Sequence, residues 1–138
     1  MKLEFVDYQK ALGLYNKLSK KEKLFVAPRG QYIDSPKLSF RLGLLDDDNL
    51  AGFIDVYEFH KGEGFIIIAV DPDYRGIGVA KKLLKASIAE AVKNNFDKLI
   101  YKVDKVNEVS NNFIIDSIYN FVLVSETDKD LTYELQLK

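Results

Sequence analysis

Apolar and polar positions alternate at the start, "KLEFV", and predict a short strand, after which Asp7 opens a helical pattern that puts Ala11, Leu14, Tyr15 and Leu18 on one side. From Leu24 to Lys37 the prolines and the glycine of "APRGQ" and "DSPK" interrupt any long element. The reading there is irregular, substrate-facing backbone, with room for a short helix. Two β-rich runs follow, "KLSFRLGLL" and "LAGFIDVYEF", joined by the polar turn "DDDN", and they predict an antiparallel hairpin. A second turn, "HKGEG", leads into "FIIIAV", an unbroken apolar run expected to be a central strand buried on both faces.

Beyond that strand, Ala80, Leu84, Ile88, Ala91 and Val92 recur at helical spacing, with Lys81, Lys82, Lys85 and Glu90 left for water. A strand at "KLIYKV", a helix from about Ser110 to Tyr119, and strands at "FVLVS" and "LTYELQL" complete the chain. The order is that of a mixed α/β (α+β) fold. No repeat, low-complexity tract or interdomain linker interrupts it, so residues 1–138 are read as a single domain.

Composition narrows the functional classes. A chain of 138 residues can bury roughly two-thirds of its unfolded surface without metals or disulfides. Twenty basic residues against twenty-one acidic ones leave a net charge of -1, which supplies no overall field for nucleic acid or an anionic membrane. With no cysteine there is no disulfide, no thiolate catalysis and no cysteine metal site, and no His/Glu spacing suggests a metal cluster. The opening "MKLEFVDYQK" lacks an apolar signal core and no run is long enough to span a membrane, so the expected location is the cytoplasm.

The chemistry concentrates in "AVDPDYRGIGVAKKLL", where a strand passes through a proline turn, an arginine and two glycines into a helix. A helix N-terminus presents unpaired N–H groups and the positive end of its dipole. Gly76 and Gly78 let backbone approach an anion closely, and Arg75 can add charge. A phosphate-bearing ligand is expected. Gly78 is followed by Val79 and Ala80, which excludes a P-loop, and Lys81 stands where a dinucleotide fingerprint needs Gly or Ala.

The stretch resembles the acetyl-CoA loop of the GNAT superfamily of N-acetyltransferases, Arg/Gln-x-x-Gly-x-Gly/Ala, matched by Arg75, Gly78 and Ala80. Val70, Pro72, Tyr74, Gly76 and the paired Leu83 and Leu84 extend the likeness. The resemblance implies a GNAT-like fold, a mixed, mostly antiparallel sheet with splayed central strands flanked by helices. It implies acetyl-CoA as cosubstrate, with Arg75, Gly76, Ile77, Gly78, Val79 and Ala80 holding the pyrophosphate. Ile68 and Val70 would pair their main chain with the pantetheine arm and the thioester carbonyl.

Family members often protonate the departing thiolate from a tyrosine in a motif near N-x-x-A-x-x-L-Y. Two registers resemble it. One starts at Asn112, "NFIIDSIY", and ends on Tyr119; the other starts at Asn107, "NEVSNNFI", and puts Ile114 at the tyrosine position. Tyr119 is the preferred acid, and Asn107 and Asn112 are carried as cofactor contacts. Alternatively, Tyr119 packs its ring in the core and Asn107 caps a helix. Members with a glutamate base on the strand before the loop carry it at the position of Gly64 here; Asp55, Glu58 and His60 are alternatives acting through water. The acceptor is read as a small-molecule or peptide amine, and the rival function is a domain of this fold that binds CoA without turnover. Homodimers are common in the family, and nothing in the sequence predicts an interface.

Overall fold

The computed structural model describes residues 1–26 and 35–138. The middle of the irregular stretch expected between Leu24 and Lys37 lies outside the described residues. Seven strands are present: β1 Lys2–Phe5, β2 Leu38–Asp46, β3 Asn49–His60, β4 Glu63–Val70, β5 Lys98–Asp104, β6 Val122–Glu126 and β7 Asp130–Gln136. Among the described residues the helices are α1 Tyr8–Tyr15, α2 Lys20–Val26, α3 Val79–Lys93 and α4 Glu108–Ile115, and a 3-10 turn spans Pro72–Tyr74.

The strands form one sheet in the order β1-β2-β3-β4-β5-β7-β6, in which only β4 and β5 run parallel. The acidic hairpin turn forms as expected, with Asp46 opposite Asn49 and Asp47 at φ 54. β4 is central, but only Gly64, Ile66 and Ala69 are fully buried. Its other residues are only partly buried, Ile68 and Val70 because the neighbouring strand leaves β4 there, as shown below.

Apolar alternation on β3 sends Ile54 and Val56 toward α3 and Phe53 toward α1. The larger core joins them to Leu42, Ile66, Leu83, Leu84, Leu99 and Ile114. On the second face Ala11, Leu14, Leu18 and Val26 close over Phe53 and Ala69. Arg41 forks onto Asp55 there, through Nε at 2.6 Å and Nη2 at 2.8 Å, while the Tyr57 hydroxyl donates to the same carboxylate at 2.7 Å. All three residues are buried.

Two expectations need correction. The buried stripe of α3 is Val79, Leu83, Leu84, Ser87 and Ala91, whereas Val92 is 55% exposed. Ser87 is tolerated inside because its hydroxyl donates to Leu84 O at 2.8 Å. The helix expected to reach Tyr119 stops at Ile115. Just after it the Ser117 hydroxyl bonds to Ile114 O at 2.9 Å and Tyr119 O at 3.3 Å, a local pattern that competes with continued helix.

Candidate functional site

β4 and β5 pair over three residues only, Glu63 with Lys98, Gly64 with Leu99 and Phe65 with Ile100. Past that point they part, and the expected splay is present. Which edge of β4 faces the gap follows from one hydrogen bond: Asp71 N–H donates back to Ala51 O on the β3 side at 2.9 Å. Since main-chain groups alternate in direction along a strand, Ile67 and Ala69 point the same way as Asp71, and Ile68 and Val70 point into the gap. Val70 O agrees, because it accepts from Arg75 Nε and Nη2 at 3.3 and 3.1 Å.

The loop after β4 is fastened at several points. Asp71 caps the 3-10 turn by accepting from Asp73 N–H at 2.9 Å, and its second oxygen accepts from Lys17 Nζ at 3.0 Å. Burial alone would raise this carboxyl, but the Asp73 N–H and the Lys17 charge hold it below the usual range. The Tyr74 hydroxyl donates to Asp46 at 3.0 Å, which ties the loop to the β2–β3 turn. Asp46 is thus an anchor as well as part of a wet hairpin end.

Gly76 and Gly78 stand at φ 78 and 86, a region costly for residues with a Cβ, and a Cβ at either would meet only open space. The constraint is therefore on the backbone conformation. Gly78 is the N-cap of α3 and brings no side-chain acceptor, so the first N–H groups of a 15-residue helix end without a side-chain cap. Such a terminus suits an anion.

Arg75 closes one side of this terminus and ion-pairs with Glu22. Glu22 is held in turn by a capping box on α2: Ser19 N–H donates to it at 3.0 Å and Glu22 N–H donates to the Ser19 hydroxyl at 3.2 Å. Burial pushes the Glu22 carboxyl up, but these bonds and the Arg75 charge leave it below its ordinary value.

A cleft of about 680 Å³ runs from the loop into the splay. Of the residues expected to bind cofactor, Ile68, Val70, Arg75, Gly76, Gly78, Val79, Ala80 and Asn107 all line it. Ile77 is 58% exposed and Asn112 is exposed on α4; neither lines the cleft. Asn107 is the N-cap of α4, its Oδ1 accepting from Ser110 N–H and its Nδ2 donating to the Ser110 hydroxyl at 2.9 Å. Tyr119 is half-buried against the main core, outside the cleft lining.

The cleft also has walls not expected from the sequence, Glu22 and Phe25 from α2 and Tyr101 from β5, and it is lined too by Ser110 and Phe113 of α4, which belong to the register starting at Asn107. The spacing Ser19-x-x-Glu22 was a visible capping signal. A tyrosine inside an alternating strand carries no comparable mark.

None of the residues weighed as a base lines the cleft. At Gly64 a Cβ would lie 2.7 Å from Leu99 Cδ2 and 2.8 Å from Val56 Cγ1, so that position has no room for a carboxylate side chain. Asp55 is bound to Arg41, Glu58 accepts from Gly62 N–H at 2.8 Å, and His60 is exposed at the end of β3. Among the described residues no group of His, Asp or Glu could hold a metal, and no helix is long and apolar enough to cross a membrane.

The model of the Acetyltransferase (GNAT) family matches residues 5–114. Among solved structures the chain is similar to smu.2055 from Streptococcus mutans UA159, with TM-score 0.81, 19% identity and all of both chains covered. It is also similar to the ribosomal-protein-S18-alanine N-acetyltransferase of Escherichia coli, with TM-score 0.73, 18% identity, and 99% of this chain and 94% of that one covered. A Bacillus anthracis chain named for streptothricin acetylation, solved with acetyl coenzyme A, gives TM-score 0.64 at 21% identity, over 78% of this chain and 66% of that one. No curated protein sequence matches.

Proposed function

The chain belongs to the GNAT family of acetyltransferases, and we propose that it transfers an acetyl group from acetyl-CoA to a primary amine by direct attack. The observation that carries this reading is the gap between β4 and β5, with β4 main chain facing it along one side, ending at a helix N-terminus without a side-chain cap. A diphosphate fits the N–H groups between Gly76 and Ala80, where the positive φ values keep side chains away and the helix dipole favours its charge. Arg75 supplies a second charge, and a bound diphosphate would compete with Glu22 for it.

An extended arm bearing amides suits the edge of β4, where the main-chain groups of Ile68 and the Val70 N–H face the gap in place of the missing strand, Val70 O being taken by Arg75. From Val70 back to Phe65 the strand covers roughly 16 Å, so a thioester carried on that arm would lie toward the narrow end of the splay. A neutral amine attacks the carbonyl carbon there, the C–S bond breaks, and the sulfur leaves as thiolate that needs a proton. The chain has no cysteine to carry the acetyl group, which favours transfer in one step.

The acceptor is proposed to be a small-molecule or peptide amine. Two of the similar structures are named for such acceptors, a ribosomal-protein alanine and streptothricin. One observation favours a second reading, a domain that binds CoA without turnover: none of the residues weighed as a base, Asp55, Glu58 and His60, lines the cleft. Thermal melts with acetyl-CoA, ATP and NADH test the donor. Acetyl-CoA at 100 times its Kd adds ~2.7 kcal/mol, a rise of roughly 8 °C, and the controls should leave the melt unchanged. Equal shifts with all three ligands would reduce the loop to a generic phosphate site. Release of CoA thiol in the presence of an amine panel then separates transferase from binder.

A further inference from the structure

The splay brings one phenol to the place where its two strands part. Tyr101 is the first residue of β5 beyond the last β4–β5 pair, Phe65 with Ile100. It is 7% exposed and lines the same cleft as Ile68 and Val70. α4 contributes Ser110 and Phe113 to the same lining. Tyr101 is also part of the main core, whereas Tyr119, four residues past the end of α4, does not line the cleft.

Resting on the acetyl-transfer reading above, we infer that the Tyr101 hydroxyl protonates the CoA thiolate, from the narrow end of the cleft. The pyrophosphate end of the site is fixed by the loop at Gly76 and Gly78, and the arm runs from there along β4 toward the junction. Its sulfur therefore arrives where Tyr101 is.

The step balances without a co-reactant. The amine nitrogen forms its bond to the carbonyl carbon, the C–S bond breaks with its electron pair on sulfur, and Tyr101 Oη–H passes its proton to that sulfur. The tyrosinate recovers a proton from solvent, to which the former amine nitrogen has lost one. The products are the amide and CoA thiol.

The surroundings suit a donor of this kind. Burial pushes the Tyr101 phenol up, so it stays protonated at neutral pH, while the neighbouring Ser110 side chain favours the ionised form. Ser110 is itself held by Asn107, whose Nδ2 donates to its hydroxyl and whose Oδ1 takes its N–H. Asn107 is thereby a positioning residue, acting through Ser110.

The test uses the full chain and CoA itself, so that it does not wait for an acceptor. In the complex, the thiol of CoA is titrated by thiolate absorbance. If the Tyr101 hydroxyl donates to the sulfur, it stabilises the thiolate, and Tyr101→Phe raises the bound thiol's pKa by about one unit or more. CoA affinity at neutral pH should stay within threefold. With any amine that the wild-type chain acetylates, kcat should fall about 100-fold, the lower end of general-acid effects, with KM for acetyl-CoA little changed.

An unmoved thiol pKa, or kcat within twofold of wild type, overturns the inference while leaving the acetyl-transfer reading intact. A loss of kcat in Tyr119→Phe that Tyr101→Phe does not share would overturn it too, in favour of the motif register ending on Tyr119. Should Tyr101→Phe not fold, Ser110→Ala carries the test, since removing the hydroxyl that favours the ionised phenol makes Tyr101 a poorer donor and should raise the bound thiol's pKa as well; no change there counts against Tyr101. A wild-type chain that fails to bind CoA removes the reading on which the inference rests, and the inference with it.

Discussion

Replacing Gly78 by aspartate should separate folding from cofactor binding. Gly78 holds φ 86, and a Cβ there would have nothing within 4 Å, so the folding cost is backbone strain alone. For an L-residue in this region that is about 1 kcal/mol, with Asp among the better tolerated. A carboxylate at the N-terminus of α3 also interacts favourably with the helix dipole, by roughly 0.3–1 kcal/mol. The two nearly cancel, and Gly78→Asp should melt within about 4 °C of wild type.

Binding is another matter, because the carboxylate would occupy the anion site itself. At about 5 Å and an effective dielectric near 20, each pair of unit charges repels by ~3 kcal/mol, and screening at this exposed site reduces the total for a diphosphate to about 2–3 kcal/mol. CoA affinity should therefore fall by roughly 30- to 150-fold. Gly78→Ala shares the strain without the charge and serves as the reference. Calorimetric titration of both variants with CoA, at low and high salt, measures the difference, which should narrow as salt rises. A folded Gly78→Asp that binds CoA within threefold of Gly78→Ala would refute the assignment of the pyrophosphate to these N–H groups.

Asp71→Ala removes the cap of the 3-10 turn and the partner of Lys17; a loss of about 1 kcal/mol is expected at neutral pH, with weaker CoA binding as the loop loosens. Because the folded-state carboxyl is held below its ordinary value, its contribution is present above the unfolded pKa of about 3.9 and is lost as pH falls through the lower folded value. Urea midpoints of wild type and Asp71→Ala should thus differ at pH 6 and converge near pH 3. In the sheet interior, Asp55→Ala takes away the acceptor of two Arg41 bonds and of the Tyr57 hydroxyl. Its cost should be about 3 kcal/mol by urea unfolding, with CoA affinity retained in the folded fraction because Asp55 is not part of the cleft.

Local chemistry made the hairpin, the phosphate loop and the start of α3 readable along the chain. "DDDN" turns because its residues tolerate the geometry a hairpin needs, and the Arg-Gly-x-Gly run marks a place where backbone can approach an anion closely, since few other roles require glycine twice just before a helix. Where reading failed, the deciding contact was elsewhere. Ser87 is polar and was not assigned to the α3 core; it is buried because it bonds to its own helix, while Val92, apolar and in phase by one count, faces water. The helix expected to reach Tyr119 ends at Ile115, where the Ser117 hydroxyl turns to local carbonyls.

The sequence by itself determined the order of the elements, the glycine loop and the anion it suits, because those depend on neighbours a few residues apart. Tertiary structure decided that β4 and β5 stay paired for only three residues, and that Tyr101, Asn107 and Glu22 meet Gly78 around one cleft. Those residues come from four different parts of the chain. Their proximity follows from the closing of two cores on opposite faces of the sheet, and no local pattern of residues encodes it.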